Sequence, residues 1–309
     1  MKRIGFAIII AVVVLLVGTF AATKIIYDAT FVRYECEQGA YPPALENRVA
    51  ARETFHYPSG ENDLCGYLYR CDLPADKNAV IVFAPGHNAC ADTYLWQIHE
   101  LLERGWSVFA FDATGCCDSE GDSAKGFPQE ILDLEATLNY IEKQNRFGYN
   151  DIILLGHSRG GYAACCALRY DYDITAVVSV SGVNSAMESV IGSAERYVGP
   201  LAYGNYGMLW LYQTMLFGSD LVDVRADRVI SETDTPVLLI HGQADTVVPW
   251  DKYSIVSYRQ EITNENVEYI LCAEPQNAEH VNILFDNDGT ANDELLDRIN
   301  NFLERNLER

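Results

Sequence analysis

Three residues that lie far apart in the sequence are of the types that perform nucleophilic catalysis: Ser158, Asp245 and His280. A serine hydroxyl is a weak nucleophile near neutral pH, so it needs a neighbouring base, and the base needs an acid that orients it. Serine, acid and histidine in this chain order form one of the known versions of such a trio. We therefore predict that Ser158 attacks, His280 moves the proton and Asp245 holds the imidazole.

Ser158 lies in a context that suits a nucleophile. The apolar run Asp151–Leu155 predicts a buried strand, and Ala163–Tyr170 has a helical pattern. Between them the chain reads Gly-His-Ser-Arg-Gly, which is typical of a sharp strand-to-helix turn with a serine at its tip. Bulky residues two positions before or after the serine would collide with the turn, and Gly156 and Gly160 avoid this. A structural turn without chemistry is the alternative.

The base and the acid follow other predicted strands. His280 lies in the loop Glu274–Val281, and Asp245 comes after the strand Pro236–His241. Ligands bind open α/β sheets at the carboxyl ends of the strands, so both side chains are expected near Ser158. Helix capping is the alternative role for Asp245. We assign structural or surface roles to His56, His99, His157 and His241.

A tetrahedral intermediate would need backbone N–H groups aimed at its oxyanion. The first candidate is the N–H of Arg159, directly after the nucleophile. The second should come from the loop that follows the strand Ala79–Ala84. This loop reads Pro-Gly-His-Asn. We place it on His87, with Asn88 as the second choice, because Gly86 lets the chain approach closely.

The hydrophobic periodicity predicts the elements that position these residues. Continuous apolar runs indicate strands buried on both faces, and they alternate with helical patterns. The predicted strands are Ala79–Ala84, Trp106–Asp112, Asp151–Leu155, Ile174–Ser181, Pro236–His241 and Val267–Ala273. An antiparallel hairpin, Glu53–Tyr57 with Leu64–Arg70, precedes them, and the helices are Asp92–Arg104, Gln129–Arg146 and Ala291–Arg309. The predicted fold class is α/β, a mostly parallel sheet with helices on both faces.

One interval lacks strands of this kind. Between Gly182 and Thr235 the chain is rich in aromatic residues. A structureless loop of that length is implausible in a compact domain. We predict a helical cap over about residues 183–235, at the edge of the sheet where ligands bind.

The N-terminus differs in kind from the rest of the chain. Lys2 and Arg3 precede the apolar run Ile4–Ala22, and Lys24 follows it. This length spans a bilayer, and the flanking charges favour a single-pass anchor at residues 1–24 with the rest of the chain exported from the cell. A cleaved signal peptide and a secreted protein are the alternative, with Thr19-Phe20-Ala21 as the cleavage region. Residues 25–51 are then a tether and residues 52–309 the α/β domain.

Charge and cysteine content restrict the partners. The net charge of −22 comes without a basic stripe, so nucleic acid is not expected as a partner. No glycine-rich nucleotide motif follows the first strands, and the cysteines lack zinc-site spacing, so we expect neither a cofactor nor a metal. Cys65 and Cys71 flank a strand and could form a disulfide, and the remaining cysteines are interpreted as small buried residues.

Five motifs in order make residues 52–309 resemble the α/β-hydrolase superfamily, specifically its monoacylglycerol lipase-like and serine aminopeptidase-like serine hydrolases. The motifs are Pro85-Gly86-His87, Gly115 to Gly121, Gly156 to Gly160, His241-Gly242-x-x-Asp245 with Val248-Pro249, and Glu279-His280. The chain departs from the family at Pro85-Gly86, where His-Gly is usual. It also departs at Cys116 and Cys117, in a loop that commonly reads Gly-x-Gly-x-Ser.

The expected function is hydrolysis of a small or lipid-like carboxylic ester through an acyl-enzyme, with the aromatic cap favouring an apolar acyl or aryl group. A serine peptidase of the same fold is the first alternative, in which Glu188 and Glu195 would receive a substrate amino terminus. A non-catalytic protein that binds a lipid or a partner is the second. A dehalogenase or epoxide hydrolase would need an aspartate in place of Ser158.

Overall fold

The computed structural model describes residues 2–36, 45, 51–73, 76–144, 147–274, 277–286 and 289–307. Most of the second half of the predicted tether, residues 37–44 and 46–50, lies outside the described residues. The strands are β1 (Glu53–Ser59), β2 (Asn62–Tyr69), β3 (Ala79–Ala84), β4 (Ser107–Phe111), β5 (Asp151–His157), β6 (Ile174–Val180), β7 (Val237–Gly242) and β8 (Val267–Cys272). The helices are α1 (Lys2–Thr30), α2 (Leu95–Glu103), α3 (Phe127–Gln144), α4 (Arg159–Cys166), α5 (Ala186–Val198), α6 (Tyr206–Phe217), α7 (Ser219–Val222), α8 (Ala226–Ser231) and α9 (Asp293–Leu307).

The strands form one eight-stranded sheet in the order β1-β2-β4-β3-β5-β6-β7-β8. The first three strands in this order pair antiparallel, and every pair from β4 to β8 is parallel. Every residue of β3 is buried, as expected for a central strand with a continuous apolar run. The predicted α/β fold class is confirmed.

Helices cover both faces of the sheet. On one face, α2 and α9 pack through residues such as Ile98 and Ile299. On the other face, α3, α4 and α8 pack through Leu134, Ala163 and Ile230. Because β3, β5, β7 and β8 are parallel, their carboxyl ends lie along one edge. The loops that carry the predicted site residues all leave the sheet at that edge.

The chain between β6 and β7 is mostly helical and comprises α5 to α8. Many of the buried apolar residues of α5 to α7, such as Met187 and Leu209, belong to a third cluster, whereas Ile230 of α8 packs with the second. The third cluster also contains Tyr27 and Phe31, from α1 and the residue after it, and Ala124 from the loop before α3. The helical insertion and the N-terminal helix thus share one small core.

Helix α1 continues beyond the apolar run, to Thr30. Among the described residues it is the one helix whose length and composition fit a membrane span, and a signal sequence would pass the same test. The segment that follows it, residues 31–36, is called the strap here. It pairs with the loop after β4, because Tyr34 N–H donates to Gly115 O at 2.9 Å and Arg33 donates to Ser119 O at 2.9 Å. A disulfide joins Cys36 at the end of the strap to Cys117 in that loop.

The possible disulfide between Cys65 and Cys71 is not formed. Both cysteines are free and buried, and the disulfide lies between Cys36 and Cys117. Cys65 lies within β2 and Cys71 follows that strand. At about 3.3 Å per residue an extended chain separates them by roughly 20 Å, far beyond the Cα separation of about 7 Å that a disulfide tolerates.

The disulfide should contribute strongly to the stability of the protein because it closes a loop with a sequence separation of 81 residues. Replacing Cys36 by Ser is expected to lower the free energy of unfolding by about 2–4 kcal/mol. Cys272→Ser removes a thiol that is free in the structure and serves as the control. Denaturant unfolding of the full chain in detergent compares the two variants. Equal midpoints for Cys36→Ser and wild type would contradict the assignment.

Candidate active site

Ser158 occupies a strained turn between β5 and α4. Its φ and ψ are 55° and −115°, a conformation that residues with a side chain rarely adopt. A Cβ at Gly156 would lie 2.2 Å from the carbonyl oxygen of Gly160, and a Cβ at Gly160 would lie 2.1 Å from that of Ala84. Both positions therefore require glycine. The turn brings α4 against the end of β3 and directs the serine to the carboxyl edge of the sheet.

The structure brings Ser158, His280 and Asp245 together. Ser158 Oγ lies 2.9 Å from His280 Nε2, and His280 Nδ1 lies 2.7 Å from Asp245 Oδ2. With a proton on Nδ1, the imidazole donates to the carboxylate and accepts from the serine hydroxyl. This is the arrangement that general-base activation of a serine requires.

The carboxylate of Asp245 is surrounded by donors. Oδ1 accepts the backbone N–H groups of Val247 and Val248, each at 2.8 Å. Oδ2 accepts from His280 and also from His241, whose Nε2 lies 3.0 Å away. Burial alone would raise the pKa of Asp245, but the hydrogen bonds from the two histidines hold that pKa well below its usual range. Asp245 is thus a fixed anion next to His280.

His241 is a functional candidate that the sequence analysis treated as structural. Its Nε2 also lies 2.9 Å from Val248 O, and because both contacts are acceptors this nitrogen carries the proton. The side chain is fully buried. The spacing His241-x-x-x-Asp245 at a strand end was the available signal. It indicated a turn and did not reveal that the ring reaches back to the acid.

His157 connects three segments around the site through a second hydrogen-bond chain. Its Nε2 donates to the carbonyl oxygen of His280 at 3.0 Å, and its Nδ1 accepts from Tyr94 Oη at 3.0 Å. Tyr94 Oη in turn accepts the N–H of Gly86 at 2.9 Å. Burial, reinforced by His280, lowers the pKa of His157 to about 3, so the ring is neutral. Tyr94 had no signal in the sequence, since it lies just before a helix, away from every motif.

The three predicted oxyanion-hole residues lie at two places. Arg159 is the first residue of α4, where backbone N–H groups have no intrahelical partner. Its side chain is fully buried, with Nη2 2.7 Å from Glu130 Oε2. His87 is half-buried in the loop after β3, and Asn88 beside it is exposed with a φ of 53°. Gly86 N–H is already donated to Tyr94, which leaves His87 as the donor we favour in this loop.

The His87 ring lies under the N-terminal segment. Phe31 packs against it with ring centroids 5.2 Å apart. Burial, and then the nearby charge of Arg159, lowers the pKa of His87 to about 4. Ser158 itself is only 8% exposed. Ser158 is therefore largely covered by the residues around it.

One group of side chains in the described residues has the spacing of a metal site. The sulfur atoms of Cys36, Cys90 and Cys117 lie within 4.8 Å of one another. Two of the three are bonded to each other as a disulfide, so they cannot act as thiolate ligands.

Comparisons with known proteins agree with the fold. The family model for serine aminopeptidases of the S33 type matches residues 75–204, less than half of the chain. The YfhR protein of Salmonella typhi is 27% identical over 57% of this chain and 58% of its own length. The lysophosphatidylserine lipase ABHD12 of Danio rerio is 24% identical over 56% of this chain and 46% of its own. This chain therefore spans only about half the length of these relatives.

A solved structure matches over a larger share. The esterase Pf2001 of Pyrococcus furiosus has a TM-score of 0.67 at 20% identity, and the alignment covers 89% of this chain and 98% of the esterase. Together, the sheet order and this likeness show that the chain has the α/β-hydrolase fold, and the family-model match makes it similar to serine aminopeptidases of the S33 type.

His241 is expected to affect the reactivity of Ser158 through Asp245. His241→Phe removes one donor to a buried carboxylate and should slow reaction with a fluorophosphonate about 10- to 100-fold, as expected for a charge-assisted hydrogen bond. His241→Gln keeps an N–H donor and should recover part of the rate. The second-order labelling rate of the folded variants is the measurement. Equal rates for wild type and His241→Phe would contradict this role.

Acid should destabilise the protein through His157. Because its pKa is lowered from 6.5 to about 3, the unfolded chain binds a proton between these pH values that the folded chain does not. The contribution of His157 to stability should be constant above about pH 6.5 and fall below it, by up to about 1.4 kcal/mol per pH unit. His157→Gln should reduce this slope, and the exposed control His56→Gln should not. Denaturation midpoints across this window test the prediction, which an unchanged slope in His157→Gln would refute.

Proposed function

We propose that this protein is a serine hydrolase that cleaves carboxylic esters through an acyl-enzyme intermediate. One observation carries the proposal: Ser158 Oγ, His280 and the buried Asp245 are joined by contacts of 2.9 and 2.7 Å at the carboxyl edge of the sheet. An imidazole held between a serine and a fixed carboxylate is placed to take the serine proton.

The proposed reaction has two halves. Ser158 Oγ attacks the ester carbonyl carbon while His280 Nε2 takes the hydroxyl proton, and Asp245 stabilises the imidazolium that forms. Collapse of the tetrahedral intermediate breaks the carbon–oxygen bond, and His280 returns the proton to the leaving alcohol. Water then attacks the acyl-serine, with His280 again as base, and releases the acid.

The oxyanion of each intermediate would accept hydrogen bonds from Arg159 N–H and His87 N–H. Support for Arg159 comes from its place at the start of α4, where the free N–H groups and the helix dipole favour negative charge. Support for His87 comes from the neighbouring Gly86, whose N–H and position are fixed by Tyr94. Asn88 remains the second choice in this loop.

An ester is favoured over a peptide with a free amino terminus. The two acidic residues suggested for amine recognition are already paired with cations of this chain. Glu188 Oε1 lies 2.9 Å from Arg225 Nη1, and Glu195 Oε2 lies 2.6 Å from Lys252 Nζ. One oxygen of Glu188 is buried without a partner, and Arg225 is shared between Glu188 and Asp227.

The names of the relatives are compatible with hydrolysis of esters and with hydrolysis of peptides. A lysophosphatidylserine lipase and an esterase act on esters by name, whereas the family model carries the name of an aminopeptidase. Peptidase activity is therefore kept as the alternative, and non-catalytic binding of a lipid or partner as the last.

We further propose that α1 anchors the protein in a membrane with the catalytic domain exported. Lys2 and Arg3 before the apolar run support this orientation. The packing of Tyr27 and Phe31 into the cluster shared with the helical insertion supports an anchor that is retained. The boundaries between the anchor (residues 1–24), the tether (25–51) and the α/β domain (52–309) remain predictions, as do the bounds of the cap (183–235).

Labelling by a fluorophosphonate tests the nucleophile. The full chain should be labelled, and Ser158→Ala should abolish labelling because no other described serine contacts His280 Nε2. Ser181→Ala is a matched control. Ser181 is also buried with a positive φ, but its Oγ lies 3.4 Å from the carbonyl of His280 and not near its imidazole. Labelling should persist in this control.

Two results would redirect the assignment. Absence of labelling in the folded wild type, by this probe and by a small activated ester, would favour the non-catalytic alternative. If labelling depends on Ser158, matched p-nitrophenyl esters and aminoacyl p-nitroanilides decide the substrate class. Faster turnover of the anilides would favour the peptidase.

A further inference from the structure

Helix α6 is unusual among the helices outside the membrane span because it carries no charged residue. It reads Tyr-Gly-Met-Leu-Trp-Leu-Tyr-Gln-Thr-Met-Leu-Phe, and apolar side chains occur all around it. Its buried residues are Leu209, Tyr212 and Gln213. A helix on the surface of a water-soluble domain normally has a polar outer face, whereas one that is apolar all round is covered by protein or by lipid.

Large apolar side chains on α6 and on the chain just before it face outward. Met215 is 68% exposed, and Leu201 and Tyr197 before the helix are 81% and 88% exposed. Leu211 and Leu216 are also exposed. We call these five residues the cap patch. An exposed apolar surface of this kind marks a site of interaction.

The neighbour of α6 is the N-terminal helix α1. Asn205 Nδ2 donates to Thr23 Oγ1 at 2.7 Å, and Tyr212 packs edge-on against Phe20. Lys24 Nζ lies 3.1 Å from Tyr212 Oη. These contacts fix α6 beside residues 20–24 of α1, where the apolar run ends.

The length of the apolar run sets the depth of this contact. From Ile4 to Ala22, at about 1.5 Å per residue, the helix rises about 28 Å, close to the roughly 30 Å hydrocarbon thickness of a bilayer. Lys24 and Asp28 are the first charged residues after it and form an ion pair at 2.5 Å. Residues 20–28 therefore lie at the outer interface when α1 spans a membrane, and α6 lies at the same level.

We propose that the cap patch is immersed in the interfacial region of the same membrane that α1 spans. The occupant of this surface is the lipid bilayer, with the apolar side chains among the upper acyl segments. Tyr206 and Trp210 of α6 suit the headgroup boundary, where amphipathic aromatic rings are enriched. A second copy of the chain is disfavoured by the net charge of −22, which opposes self-association.

The inference rests on the proposed membrane anchoring by α1 and does not depend on the catalytic activity. It adds an orientation, because two contacts with the bilayer, α1 and the cap patch, hold the domain with its cap against the lipid. If the domain is also the proposed esterase, an apolar ester would reach the site from the bilayer side, next to the cap.

Quenching of Trp210 by brominated lipid tests the contact. The full chain is reconstituted in phosphatidylcholine vesicles with and without bromine on the acyl chains. Bromine should quench tryptophan fluorescence, and the quenched fraction should fall at least twofold in Trp210→Phe. Trp96→Phe on α2, a helix packed on one face of the sheet, is the matched control and should retain the quenching. Equal quenching in wild type and Trp210→Phe would overturn the proposal.

A charged side chain in the patch provides a second test. Met215→Glu should reduce the quenching of Trp210 severalfold, because a carboxylate is expelled from the interface. Tyr269→Glu, on β8 at the far edge of the sheet, places the same charge outside the patch and should have no effect. Absence of quenching in wild type, together with a crosslinked dimer, would assign the patch to a second copy.

Ester hydrolysis tests the effect of the membrane contact on activity, independently of tryptophan quenching. Met215→Glu should slow hydrolysis of a long-chain ester carried in vesicles severalfold and leave hydrolysis of a short water-soluble ester unchanged. If wild type hydrolyses neither ester, the proposed function fails while the quenching result still decides the membrane contact.

Discussion

The buried negative charge of Asp245 is the constraint around which the neighbouring segments are arranged. A carboxylate removed from water is costly unless donors replace the lost hydration, and here four N–H groups do so. Two come from the turn after β7, one from the end of β7 itself and one from His280. Because these donors must converge, the carboxyl end of β7 and the loop after β8 are held together, and His280 is held in the orientation that faces Ser158. The second chain, from Gly86 through Tyr94 and His157 to the carbonyl of His280, adds the loop after β3 to the same assembly.

Much of this architecture could be predicted from the sequence because it follows from local pattern. Continuous apolar runs identified the six parallel strands, β3 to β8, within one or two residues, and the order of Ser158, Asp245 and His280 after three of them indicated where they would meet. Two properties that depend on where side chains are placed in space could not be predicted. The disulfide joins residues 81 apart, and the role of His241 depends on a ring that reaches back to Asp245. Sequence spacing alone suggested a local Cys65–Cys71 bridge and an ordinary turn.

The N-terminal helix, whose composition would fit a membrane span, is also part of the domain's packing. Its last turns contribute Tyr27 to the cluster shared with the helical insertion, and Phe31 contacts His87. The segment predicted as a tether begins inside this helix, at residue 25, and continues as a strap paired with the loop after β4. An apolar run predicts a span by its composition, but its end does not show where the helix stops. The helix continues to Thr30 because packing against the insertion supports the extra turns.

The Cys36–Cys117 bond changes how the domain is attached to the helix. Without it, a single backbone strand would join α1 to the rest of the chain. With it, residues 36 to 117 form a covalent ring that includes β1 to β4 and α2. One proteolytic cut within that ring would leave both fragments covalently attached to α1. If the disulfide were also reduced, only non-covalent contacts would hold the larger fragment to α1. Release of the α/β domain from its helix would thus depend on the redox state of the surroundings as well as on the protease.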